Sequence, residues 1–432
     1  MACQFILNLR KLQSIQRARY RQMRRDELQF LKNIQRINYN IITDPQILLD
    51  SFEECKQHVM WKRRTQYVGL HVISEIWKLS CMLQTNIMDT RPYRRFQINE
   101  RGKIRDISSP DILERIIQHS LYKNIVYPIL IKCLIYDNGA SIKGKGVQFS
   151  RDRVTKHLTS YYRKHGNKGW VVQIDFKKFF ESLDHDVIME QLSRKIPDVR
   201  ILNLCKQILD KQGEKGVGLG SELSQIVALY YLNRLDHYFK DKLGVKYYGR
   251  YMDDIYIICD KYEDAVFYLR KANEIAKDLK LNINQKKSKI VKLENGFTFL
   301  KTKYIMSFTG KIARISGRTS ATRERRKLRL YKKRLMNNVD PTSKYYIDSF
   351  YIRDAYLSWR RFIESQFNSY NLLKRMDHYF IYLFGFKPDK ISKQERQIHN
   401  EELKQMRWHF EQYHPVLSKL KIFYMNDKFI KK

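Results

Sequence analysis

Apolar positions along this chain follow two different periods, and the switches between them mark its elements. Over residues 1–40, and again over 45–85, apolar residues recur at spacings of three and four between basic and polar ones, which predicts amphipathic helices. At Phe96 the period changes. FQINERGKIRDIS alternates around a Gly-Lys turn and predicts a β-hairpin. ILERIIQHSLYKNIVYPIL then returns to helical spacing. GWVVQIDFKKFF (169–180) is a short apolar strand running into a turn. The following DHDVIMEQLSRKI predicts a helix with Asp184 as its N-cap. GLGSELSQIVALYYLNRLDHYF starts as a Gly-rich turn and becomes a helix. VKYYGRYMDDIYIICD reads as strand, tight turn, strand, and EDAVFYLRKANEIAKDLKL as an amphipathic helix. NGFTFLKTKYIMS predicts a second hairpin. From about Thr319 the chain turns helical and strongly basic, with a break near Asp340-Pro341. The expected fold class is α+β: a β-sheet faced by helices and flanked by helical ends.

Composition narrows what such a fold serves. The chain has 432 residues, enough for two or three packed subdomains, and only 17 Gly and 8 Pro, which argues against long disordered linkers. Lys and Arg total 83 against 45 acidic residues, a formal charge of +38. A surface that positive repels itself unless a polyanion covers it, and nucleic acid is the expected partner. Twenty-nine tyrosines suit stacking on bases as well as core packing. Six cysteines show neither CxxC nor CxxH spacing, so neither a zinc site nor a disulfide framework is expected, and a reducing cytoplasm is the default. MACQFILNLRKLQ lacks a signal-peptide cleavage pattern, and no apolar run approaches the roughly 18 residues that span a bilayer, so no membrane partner is expected.

Three carboxylates carry the candidate chemistry. Asp253 and Asp254 sit side by side in YMDD, at a hairpin turn between apolar strands, and Asp175 ends the apolar strand of VVQIDF. A carboxylate at the end of a buried strand is costly unless something compensates its charge. Mg²⁺ favours oxygen ligands and binds through one or two carboxylates plus substrate phosphates. Two-metal phosphoryl transfer needs this inventory, with the ions about 4 Å apart. Asp175 and Asp253 are therefore expected to bridge two Mg²⁺ ions, for which Mn²⁺ could substitute. The carbonyl of Phe176 is a further candidate ligand, and Asp254 a weaker or more peripheral one. A DD pair alone is more often simple turn chemistry; the strand-end Asp175 and the apolar strands around YMDD favour the metal reading.

At this point the chain resembles the reverse transcriptases of bacterial retroelements, over about residues 85–380. QIDFKKFFESLDHDVI resembles the family's first catalytic-aspartate motif, YYGRYMDDIYIICD its Y-x-D-D motif, and LKLNINQKKSKIV and FTFLKTKY the two that follow. FQINERGKIRDI and NGASIKGKGVQFSRDRVTKHL are similar to its fingers motifs, and all occur in the family's order. The resemblance implies a right-hand polymerase. Residues 1–84 would be an N-terminal helical extension and 85–168 the fingers. Residues 169–318 would be the palm, with a fingers-like insertion around 186–215, and 319–432 a basic helical thumb with C-terminal helices. It implies that Asp175, Asp253 and Asp254 bind the metals. Phe180 matches a steric gate against the ribose 2′-hydroxyl, with plain core packing as its alternative. Lys103 and Arg105 match basic residues that hold the incoming triphosphate, with a solvated hairpin face as theirs. Lys287 or Lys289 falls near a lysine proposed as general acid to the leaving pyrophosphate.

One stretch departs from the family. Where many relatives carry Pro-Gln-Gly, this chain reads Gly218-Leu219-Gly220, followed by Ser221, Ser224 and Gln225. Gly220 still allows close backbone approach to a nucleotide, and Gln225 is kept as a candidate nucleotide-binding residue. A similarly altered motif is familiar among the abortive-infection and defence-associated branch, which the resemblance therefore favours. In TSATRERRKLRLYKKRLMNN, Leu328, Tyr331 and Leu335 share one helical face. Arg325, Arg326, Arg329, Lys332 and Lys333 occupy much of the rest, as a helix tracking a heteroduplex backbone would. The expected function is an RNA-directed DNA polymerase in antiphage defence. Its partners would be an RNA template (a cognate non-coding RNA), dNTPs and the DNA product. Two alternatives stay open: a maturase-like RNA-binding protein that needs no synthesis, and an untemplated or protein-primed polymerase.

Overall fold

The computed structural model describes residues 38–413 except 58, 89–90, 101, 219, 338–340 and 342–345. Residues 1–37 of the helical stretch expected over 1–40, Leu219 and the break at Asp340 lie outside the described residues. The described residues divide into two compact units, with the boundary between Asn295 and Gly296.

In the first unit, after a single helical turn at Asn40–Thr43, helices α1 (Pro45–Lys56), α2 (Arg63–Leu70) and α3 (Val72–Gln84) follow, as the helical spacing predicts. Asp44 caps α1 by accepting from the backbone N–H of Gln46 and Ile47, ahead of Pro45 at the first helical position. The hairpin β1 (Arg94–Glu100) and β2 (Lys103–Ser109) pairs antiparallel in register, with Gly102 at φ +83° in its turn. Helix α4 (Ile112–Leu121) follows and runs into a π-helical turn at Tyr122–Val126. Then come α5 (Val147–His165), β3 (Trp170–Ile174), α6 (His185–Ser193), α7 (Val199–Asp210) and α8 (Glu222–Tyr231). Asp184 caps α6 as expected, accepting from Asp186 and Val187 N–H. Strands β4 (Tyr248–Tyr251) and β5 (Asp254–Cys259), helix α9 (Tyr262–Asp278) and strand β6 (Lys289–Lys292) complete the unit.

Four strands form one antiparallel sheet in the order β4-β5-β3-β6. Ile255 through Cys259 are all buried, and so are Val171, Val172 and Ile174. A sheet with one wet face would alternate; unbroken burial follows because helices cover both faces. Helix α9 packs on β3 and β5, and α5 on β4. The topology fixes where the chemistry can sit. Strand β3 runs antiparallel to β5, so its C-terminal end lies at the same edge as the β4–β5 turn.

The second unit holds a three-stranded antiparallel sheet, β7 (Phe297–Phe299), β8 (Thr302–Met306) and β9 (Ile312–Ser316). Helices α10 (Arg318–Met336), α11 (Ser349–Gln366), α12 (Tyr370–Phe384) and α13 (Lys393–Tyr413) follow. Leu328 and Tyr331 of α10 are buried with Ile352, Tyr356, Met376 and Phe380, and Leu335 packs beside them. The stripe read from the sequence is thus the buried face of α10. The division between the units falls inside the stretch 169–318 that the sequence assigns to one palm.

Candidate active site

The YMDD turn is short and conformationally tight. Met252 takes φ +53°, which a side chain bearing a Cβ adopts at a cost of about 1–2 kcal/mol. Arg250 supports it from below. Its Nη1 donates to the Met252 carbonyl at 3.1 Å and its Nη2 to the Leu229 carbonyl at 2.8 Å. The guanidinium also pairs with Asp236, from Nε at 2.8 and 3.0 Å and from Nη2 at 2.5 Å. Tyr248 donates its hydroxyl to the same carboxylate at 2.6 Å. Both side chains of this ion pair are fully buried.

Register brings the acidic residues together. Ile174 pairs with Ile255 and Tyr251 with Asp254. Asp175, one residue beyond its strand, is therefore abreast of Asp254, where antiparallel neighbours stand about 5 Å apart. Burial pushes the Asp253 carboxyl above the ordinary carboxylate range. A backbone hydrogen bond at its own residue pulls it back, Asp175 beside it pushes it up again, and Lys287 and Arg105 draw it down. Arg105, exposed on β2, thus lies within electrostatic reach of the turn.

Asp175 is held by the turn that precedes β6. Asn284 Nδ2 donates to Asp175 Oδ2 at 3.0 Å, and Lys287 Nζ donates to both carboxylate oxygens at 3.0 Å. Ser288 Oγ accepts from the Asp175 N–H at 3.0 Å. Of the two lysines left open by the sequence, Lys287 is the one that reaches the site, while Lys289 is exposed on β6, opposite Gln173. Phe176 is buried beside Ile283, to which it forms an isolated bridge.

Phe180 is half-buried, its ring edge-on to Phe179 at 5.5 Å. Its carbonyl accepts from the N–H of Val217 at 2.9 Å, which ties the glycine-rich stretch to this segment. Gly220 takes φ +106° with open space where a Cβ would project. Ser221 does not cap α8; its hydroxyl donates instead to Gln118 Oε1 at 2.8 Å. Gln225 Oε1 accepts from Ser141 Oγ at 2.8 Å, so its carbonyl faces the 138–147 loop. Lys103 lies on β2, opposite Glu100. In the second unit Arg329 donates to Tyr379 Oη at 2.8 Å and Arg325 stacks over the same ring at 5.3 Å, while Arg326, Lys332 and Lys333 are exposed.

Sequence reading missed Asn284, Ser288 and the Arg250–Asp236 pair. Asn284, Lys287 and Ser288 recur at spacings of three and four in NQKKS, but that spacing does not reveal which residue they face. Nor does anything local link Arg250 to an aspartate fourteen residues upstream.

Residues 97–310, which span this site, match the family described as Reverse transcriptase (RNA-dependent DNA polymerase). The chain carries a reverse transcriptase domain. The Putative COX1/OXI3 intron 2 protein of Saccharomyces cerevisiae is 26% identical over 182 residues, covering 39% of this chain and 20% of that protein. Protein YkfC of Escherichia coli K12 is 24% identical over 255 residues, covering 48% of this chain and 65% of its own length. The chain thus spans less than two thirds of the relatives it matches. Among solved structures, telomerase from Candida albicans in complex with a fragment of telomeric RNA aligns with TM-score 0.44 at 12% identity, over 78% of this chain and 67% of that one.

The reverse transcriptase domain implies divalent metal, and the donor set fits it in kind. Asp175 and Asp253 offer hard oxygen ligands at one sheet edge, and Asp253 is destabilised as an anion by burial and by Asp175. Among the described residues, no three His, Cys, Asp or Glu side chains gather into a ready metal cage. Two carboxylates with phosphate oxygens and water completing the shell is the pattern Mg²⁺ prefers. Among the described residues, no helix is long and apolar enough to cross a membrane.

Proposed function

We propose that the chain is an RNA-directed DNA polymerase of a bacterial retroelement, acting in the cytoplasm in antiphage defence and copying a cognate non-coding RNA. The observation that carries the polymerase reading is the meeting of Asp175 with the Asp253-Asp254 turn at one edge of the sheet. The defence role rests on the altered 218–220 stretch alone.

In this reading Asp175 and Asp253 hold two Mg²⁺ ions, with Asp254 and the Phe176 carbonyl in support. Bound there, the ions would activate the primer 3′-hydroxyl and neutralise charge on the triphosphate. The protein's own part is positioning. Arg250 fixes the turn that carries Asp253, and Asn284 and Ser288 fix Asp175. Arg105 and Lys103 on the hairpin supply positive charge for the triphosphate. Half-buried Phe180 presents a bulky ring where a ribose 2′-hydroxyl would press. Its backbone grip on Val217 keeps the glycine-rich stretch beside it. The palm would comprise the four-stranded sheet and its helices, and α10 with α11 and α12 the thumb.

Incorporation of dNTPs on a primed RNA template tests this directly. Asp253→Ala and Asp175→Ala should each abolish synthesis while the protein remains folded. Synthesis retained in either variant refutes the assigned site. A second reading, an RNA-binding protein that needs no synthesis, draws on the formal charge of +38. It requires the biological role to survive Asp253→Asn.

A further inference from the structure

The turn after Leu281 directs three polar side chains at one residue. Its backbone is anchored first. Asn284 N–H donates to the Asp175 carbonyl at 2.8 Å, and Ser288 Oγ accepts from the Asp175 N–H at 3.0 Å while donating to its carbonyl at 3.3 Å. The turn also closes on itself, with the N–H groups of Lys287 and Ser288 donating to the Asn284 carbonyl at 3.1 and 2.8 Å.

The two side chains that reach the carboxylate differ in kind. Asn284 is half-buried, and the backbone that carries it is tied to residue 175 itself, so its amide stays on Oδ2. Lys287 approaches from solvent with its side chain 57% exposed, on a flexible four-carbon stem. Its ammonium lies 3.0 Å from both oxygens, on the lone pairs a bridging cation would use. The nearby Asp253 carboxyl also feels the Lys287 charge. One positive charge thus stands before two carboxylates in a place where a dication would compensate both.

We propose that Lys287 is a resident counter-cation that a divalent metal must displace from Asp175, and that Asn284 keeps the carboxylate oriented through the exchange. The proposal rests on the reading of Asp175 as a metal ligand. The chain's own ammonium then lowers metal affinity: removing it strengthens binding, whereas removing the amide weakens it. Lys287 and Asn284 are positioning residues here.

The test is Mn²⁺ binding to the full chain without nucleotide or nucleic acid, followed by the electron paramagnetic resonance signal of the free ion. Lys287→Met should bind on the order of tenfold more tightly, the low end of what a hydrogen bond to a charged group contributes. Asn284→Ala should bind about tenfold more weakly, as when an outer partner of a metal ligand is removed. Lys286→Met removes the same charge from an exposed neighbouring position and should change affinity by no more than about twofold, because salt screens it. Thermal melts establish that each variant is folded. If Asp175→Ala loses binding while Lys287→Met binds no more tightly than wild type, the counter-cation role is wrong and the metal reading stands. If Lys286→Met tightens binding as much as Lys287→Met, the effect is diffuse charge and direct displacement is wrong. If Asp175→Ala binds Mn²⁺ like the wild type, the metal reading itself falls and this proposal with it.

Discussion

Asp236→Ala isolates the support beneath the catalytic turn. In the native protein the Asp236 carboxylate accepts from Arg250 Nε and Nη2 and from the Tyr248 hydroxyl, and none of it reaches solvent. Truncation leaves the guanidinium buried without its counter-charge. Breaking one side of a buried pair costs about 3–5 kcal/mol. For a unit of this size about 2 °C of melting temperature is lost per kcal/mol, so a fall of roughly 6–10 °C is expected. The double variant Arg250→Met/Asp236→Leu separates stability from function. Replacing both partners with apolar groups of similar volume is often neutral or better, so its melting temperature should recover most of the loss. Synthesis should not recover, because the Met252 carbonyl no longer has Arg250 Nη1 to hold it at its positive φ. The assays are thermal unfolding and primer extension on RNA. An Asp236→Ala melting temperature within about 2 °C of wild type would refute the energetic argument. Full primer extension by the double variant would refute the positioning one.

Other outcomes follow from the same geometry. His119 joins Glu222 at 2.6 Å and Glu54 at 2.9 Å, linking α8 and α1 across α4, and these hydrogen bonds outweigh burial and hold its pKa above the usual histidine value. A raised folded-state pKa stabilises fully below the unfolded value of about 6.5, and the stabilisation disappears as pH rises through the folded one. Unfolding midpoints should fall as pH is raised above about 6.5, and His119→Gln should flatten that slope; an unchanged slope counts against the bridge. Phe180→Ala should raise ribonucleotide incorporation relative to dNTPs by on the order of tenfold or more, read in single-nucleotide extension, and no change would assign Phe180 to packing alone. Neutralising the exposed Arg326, Lys332 and Lys333 one at a time should weaken RNA–DNA duplex binding and reduce the salt slope by about 1 for each phosphate left without its cation. Equal slopes in all three and in the wild type would remove α10 from the nucleic-acid interface.

The strand and helix periods were legible in the chain because each element buries one side or both. WVVQI and DIYIIC read as strands because they are short, apolar and rich in β-branched residues, and the α10 stripe of Leu328, Tyr331 and Leu335 is the buried one. Asp184 could be read as a cap because capping is a local interaction between a side chain and the next two or three N–H groups. The three aspartates also stood out locally, as charges at the ends of apolar strands. The sequence alone therefore determined many of the elements, the basic character and the candidate carboxylates, while α5, α7, β6 and β9 emerged only in the structure.

Meetings between distant parts of the chain were a different matter. Asp175 comes abreast of Asp254 only because β3 pairs with β5 in one particular register, and a slip of one residue would turn its side chain to the other face. Lys287 rather than Lys289 reaches Asp175 because the turn at 284–288 is bonded to the end of β3, about a hundred residues earlier. Arg250 looks from the sequence like one more cation in a chain with 83 of them, and only packing made it the buried partner of Asp236. Sequence periodicity reports burial along an element; which side chains meet depends on how elements pair, and that is set by the whole core at once.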